Sequence, residues 1–179
     1  MTLTPRIEGT VTIRSTAAVF LAAFRQRVAA GLVTGHPHPR SNYVVVETGH
    51  GHLRLRAADW WTAINVGLNE LELQLPGDGI VHYRVRYWRW ALYALGLAGG
   101  LGLIGLALLL ALDVRGYIVR HPTTMLPGFS IGQNLLIAWG MVLFWGFVWP
   151  WLLIALHKRP LRRLVGRLIA EVDAQATSR

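Results

Sequence analysis

The residue types that most readily do chemistry in this 179-residue chain are its seven histidines. His36 and His38, like His50 and His52, stand two apart, which puts both imidazoles of a pair on one face of an extended segment. A structural zinc ion takes about four ligands in tetrahedral array, and no cysteine or carboxylate cluster lies near to complete one. These histidines therefore read as exposed loop residues, with no metal expected. Asp59, Glu70 and Glu72 suggest no acid–base pair, because arginines on the following strand account for the two glutamates. Ser15, Ser41 and Ser130 have no nucleophile elbow and no neighbouring base. Gly100, Gly102 and Gly105 spell G-x-G-x-x-G, but a dinucleotide loop needs a strand before it and an acidic residue after it. Here the glycines lie inside an apolar run, and the match carries no weight. With no cysteine, disulfides and thiolate sites are excluded. The expectation is a non-enzyme, with no catalytic residue and no cofactor.

The elements around these residues are dominated by two uncharged runs, Trp90 to Leu112 and Leu135 to Leu156. At about 1.5 Å per helical residue, each can cross a hydrocarbon core of roughly 30 Å. Only a helix satisfies its backbone there. Arg84, Arg86 and Arg89 precede the first run, and Lys158, Arg159, Arg162, Arg163 and Arg167 follow the second. The connection 113–134 carries only Arg115 and Arg120, opposed by Asp113. The positive-inside rule then predicts a multi-pass protein of the inner (cytoplasmic) membrane, with both termini cytoplasmic. Met1 to Gly9 does not read as a signal peptide, so the first run is expected to act as its own insertion signal. The net charge of +9 borders the membrane and suits anionic lipid rather than nucleic acid.

Residues 1–89 read as a small cytoplasmic α+β domain, one helix on an antiparallel sheet of four or five strands. Val11 and Ile13 mark a first strand. Ser15 or Thr16 caps a helix reaching about Val33, with Ala17, Phe20, Leu21, Phe24 and Val28 as its apolar stripe. Gly31 and Gly35 end it, and Pro37 and Pro39 keep 35–41 out of helix. Tyr43 to Thr48 and His52 to Ala57 read as strands around Gly49-His50-Gly51, and 58–68 as an irregular strand. Around Pro76-Gly77-Asp78-Gly79, the period of two pairs Leu75 with Val81, Leu73 with Tyr83 and Leu71 with Val85. The same register sets Glu72 opposite Arg84 and Glu70 opposite Arg86. Trp88-Arg89-Trp90 leads into the first run without a linker, so the domain is expected close to the membrane face. Trp60 and Trp61 read either as a further interfacial contact or as domain core.

The two runs differ in shape. The first carries Gly96 and Gly100 as G-x-x-x-G, with Ala94, Ala98 and Gly102 at the same spacing on a neighbouring face. Small residues let helix backbones approach. The second is bulky, with Trp139 and Trp145 deep and Trp149 and Trp151 near the cytoplasmic end, and Pro150 is expected to kink it. Gly96, Gly100, Gly102, Trp139 and Trp145 are the expected helix-packing residues. Trp88, Arg89, Trp90, Trp149, Trp151, Lys158, Arg159, Arg162, Arg163 and Arg167 are the expected membrane-interface residues. Residues 157–179 form a basic tail in which Pro160 opens an amphipathic helix, Leu161 to Val172, resting on the lipid surface or on the domain.

The reading is a non-catalytic membrane subunit, an accessory or structural component of a larger complex, energy-transducing by analogy of class alone. Its expected partners are anionic lipids and other membrane subunits. The alternative is a membrane-anchored lipid- or small-ligand-binding domain, with a pocket between helix 15–33 and the sheet and a head group at Arg14, Arg25, Arg54 or Arg56. A homo-oligomer through Gly96 and Gly100 is a third reading.

Overall fold

The computed structural model describes residues 4–32, 42–49, 51–77, 79–121, 126 and 128–178. His36, His38, His50, Ser41 and the 35–41 segment lie outside them. The chain forms two compact units, Met1–Leu92 with Leu156–Arg179, and Tyr93–Ala155. The first unit is α+β. Its strands are β1 (Arg6–Thr12), β2 (Tyr43–Gly49), β3 (His52–Ala57), β4 (Glu70–Gly77) and β5 (Ile80–Arg86). They form one antiparallel sheet in the order β1-β5-β4-β3-β2.

Alternation sorts the sheet's two faces. Leu53, Leu55, Leu71, Leu73, Val81 and Val85 are fully buried on one. The other carries the charges. Glu70 pairs with Arg86, Glu72 with Arg84, Leu71 with Val85 and Leu73 with Tyr83, as the hydrophobic alternation requires. The ladder shifts between Gln74 and Gly77, so the expected Leu75–Val81 pair does not form. On the β3 side of the strand, the Leu75 N–H donates to the Gly51 carbonyl across 2.6 Å.

Helix α1 (Ala17–Ala29) buries Phe20, Leu21, Phe24 and Val28, as its stripe predicts. It ends four residues before Val33, because Gly31 takes a left-handed φ of 103°. Residues 58–68, expected as a strand, contain helix α2 (Trp60–Val66). Asp59 caps it, accepting from the Thr62 N–H at 2.7 Å, and Gly67 closes it in the left-handed region.

The remaining helices are α3 (Trp88–Ala111), α4 (Val114–Arg120), α5 (Ile131–Leu143) and α6 (Trp149–Thr177), with a π-helical turn, Phe144–Val148, between the last two. Pro150 has no N–H to offer the Gly146 carbonyl, and the π turn stands just before it. Ser130 opens α5 through a capping box with Gln133. Pro160, expected to start a new helix, lies inside α6 instead. Two stretches, Trp88–Ala111 and Ile131–Thr177, are helices long and apolar enough to cross a membrane.

The end of α6 belongs to the first unit. Leu161, Val165, Leu168, Ile169 and Val172 are buried. The Asp173 carboxylate accepts from the Ser15 hydroxyl at 2.6 Å and from the Arg14 and Ser15 backbone N–H groups at 2.9 and 3.0 Å. A second helix thus joins α1 in this unit's core.

Candidate functional site

In the first unit, tryptophan and arginine side chains gather where α3 begins. α2 presents Trp60 and Trp61, 44% and 67% exposed, so neither is a core residue. The Trp60 ring meets Trp88 edge-on at 5.9 Å. The Arg89 guanidinium lies 5.3 Å from the Trp60 ring centre and 5.4 Å from that of Trp88. Asn69, which is buried, orients this turn: its Oδ1 accepts from the Arg89 N–H at 3.0 Å, and its own N–H donates to the Arg86 carbonyl. A side chain from the β3–β4 connection thereby satisfies one of the free donors that open α3.

His157, one residue past the uncharged run, completes the cluster. Its ring stacks on Trp90 at 4.1 Å and 12°, and its Nε2–H donates to the Gly67 carbonyl at 3.2 Å. Burial pulls its pKa below the ordinary imidazole value, against the opposing effect of the Gly67 bond. Burial thus favours the uncharged ring. Tyr87, 5.3 Å from the same ring, is pushed up to about 12 by burial. Lys158 is half-buried, whereas Arg159, Arg162, Arg163 and Arg167 are exposed along α6.

The second unit holds the close helix contact. A Cβ built on Gly102 would stand 2.6 Å from the Gly146 Cα, and one on Gly105 would stand 3.2 Å from the Val142 methyls. The order 102 to 146 and 105 to 142 makes the two helices antiparallel there. Gly146, within the π turn, was not singled out from sequence; its place opposite a glycine-rich helix and four residues before Pro150 is the signal. Gly96, Gly99 and Gly100 have nothing within 4 Å of such a Cβ among the described residues. Trp139 is half-buried, Trp145 is exposed, and Trp145 and Trp149 meet at 4.9 Å along the same helix. Trp151 is exposed.

The outer face of the sheet is a ladder of ion pairs. Glu70 meets Arg54 at 3.2 Å and Arg86 at 3.5 Å, while Glu72 meets Arg84 at 3.6 Å and His52 at 3.4 Å. Arg84 also bonds Glu8 at 2.7 Å. Burial works against the Glu72 charge, but the Gln74 bond, Arg84 and His52 outweigh it and hold its pKa below the usual carboxylate value. Among the described residues no three metal-binding side chains converge. The four arginines of the ligand-binding alternative do not converge either. Arg25 borders a groove of about 670 Å³ beside α1, where it bonds Thr48. Arg54 and Arg56 lie on the other face of the sheet, and Arg14 stands in the turn before α1.

No family model matches this chain, and no curated protein or solved structure matches it either.

Proposed function

We propose that this chain is a non-catalytic integral membrane subunit, an accessory or assembly component of a larger membrane protein complex. In this reading α3 and the α5–α6 helix form a transmembrane hairpin in the inner (cytoplasmic) membrane. Both termini are cytoplasmic, and α4 lies on the far side. The basic residues flanking the two uncharged runs support that orientation. The observation carrying the reading is the division of α3 into two small-residue faces. Gly102 and Gly105 are filled by Gly146 and Val142, whereas a Cβ at Gly96, Gly99 or Gly100 would have nothing within 4 Å among the described residues. A glycine face open to lipid forgoes close dispersion contacts that another helix would supply. Energy-transducing complexes are the proposed class of host, by analogy.

Purification of the full chain from native membranes in mild detergent tests this. The wild type is expected to bring down another membrane protein in fixed ratio, and Gly96→Leu with Gly100→Leu to lose it while keeping its helical circular dichroism. A lone wild-type monomer, or a dimer of this chain alone, would contradict the reading. The ligand-binding alternative has less support, because of its four arginines Arg25 borders the groove beside α1, whereas Arg54 and Arg56 lie on the other face of the sheet.

A further inference from the structure

We propose that Arg89, flanked by Trp60 and Trp88, is a binding site for the phosphate of a membrane phospholipid head group. This rests on the reading of α3 as a membrane span. The guanidinium lies 5.3 and 5.4 Å from the centres of two indoles that stand edge-on to each other, a setting that holds its charge without a carboxylate. Its Nε is buried and has no hydrogen-bond partner among the described residues, so the Nη end of the guanidinium is the part open to a ligand. The outer-face arginines differ: Arg54, Arg84 and Arg86 each meet a glutamate, whereas no ion pair joins Arg89 to a carboxylate among the described residues.

What fits an unpaired guanidinium edge is a planar pair of anionic oxygens. Phosphate offers them in the bidentate geometry that arginine favours. The position adds to the preference, since Arg89 is in the first turn of the 24-residue α3, where the helix dipole favours negative charge. The residue after it opens the uncharged run, so a phosphate at Arg89 can carry its acyl chains alongside α3. The exposed indoles of Trp60, Trp61 and Trp88 are side chains suited to the head-group layer. A lipid phosphate and free inorganic phosphate share this chemistry, and the acyl chains distinguish them.

The test uses the full chain in mild detergent, with bound lipid counted by native mass spectrometry. Three probes are compared: phosphatidylglycerol, a phosphate-free diacylglycerol glycolipid, and inorganic phosphate. Wild type is expected to retain one phosphatidylglycerol over the glycolipid. Arg89→Gln should weaken that retention at least about tenfold, the loss expected for a charge-assisted bond. Arg89→Lys, which keeps charge but not the fork, should fall between. Arg6→Gln, an equal charge change on the outer sheet face, should match wild type. Equal retention by wild type and Arg89→Gln overturns the site, as does equal retention of glycolipid. Saturable inorganic phosphate binding without preference for phosphatidylglycerol overturns the lipid source. Alkaline carbonate washing of native membranes separates the premise from the site. If wild type stays in the pellet, a negative lipid result counts against Arg89 alone; if it is released, the membrane span itself fails.

Discussion

Asp173 shows how a single side chain fixes the first unit. It accepts from Ser15, 158 positions earlier, and so organises the turn into α1, whose own Thr16 makes no side-chain cap. Burial disfavours its charge, but the bonds from Ser15 and Arg14 prevail, and its pKa lies below the ordinary carboxylate value. The unfolded carboxyl takes up its proton near pH 4, before the native one does, so the stabilisation is complete above about that pH. It is lost as the pH falls through the native pKa. Asp173→Asn is expected to cost about 1 kcal/mol at neutral pH after allowance for its exposure. It should also flatten the acid limb of the thermal midpoint of the full chain against pH. Gly67 is constrained twice: its φ is +72°, and a Cβ there would run into the His157 ring. Gly67→Ala is expected to destabilise by about 1–3 kcal/mol in thermal unfolding. Gly49→Ala, with nothing within 4 Å, should stay close to wild type.

At the scale of elements, period-two alternation made the β4–β5 register legible as far as Gln74, because a slip by one residue sets leucines against arginines. The α1 stripe was legible for the same kind of reason. α2 was not, since seven residues are too short to show a period. Its signal lay in its ends, with Asp59 three residues before Thr62 and Gly67 after Val66. Asp59→Ala is therefore expected to cost about 1 kcal/mol and to change the tryptophan emission of the Trp60–Trp88 pair. The docking of α6 was open in the sequence, because one amphipathic face suits lipid and protein alike. Asp173 decides it through partners that no local pattern reveals. The G-x-x-x-G spacing named Gly96 and Gly100, but spacing alone does not tell which glycine face a neighbouring helix takes. Gly102→Leu is expected to disrupt the helix pair, read as faster proteolysis and a lower thermal midpoint in detergent. In the chain purified without a partner, Gly96→Leu should leave both unchanged.

For the whole molecule, uncharged runs and flanking charges made the membrane-compatible helices legible, whereas the grouping of 156–179 with 1–92 required the folded chain. The proposed topology makes a testable statement of sidedness. Single cysteines introduced at Ser178 and at Tyr117 of α4 are expected to react oppositely with an impermeant thiol reagent, Tyr117 from outside the cell and Ser178 only after lysis. What the molecule does rests on whether the open face of α3 meets a partner. The most direct measurement places a photo-crosslinking residue at position 96 or 100 of the full chain in native membranes, with position 110, where Leu110 is 70% exposed, as reference. A covalent adduct with a different membrane protein from 96 or 100, and not from 110, is the expected result. Adducts with lipid alone from all three positions would contradict the subunit reading.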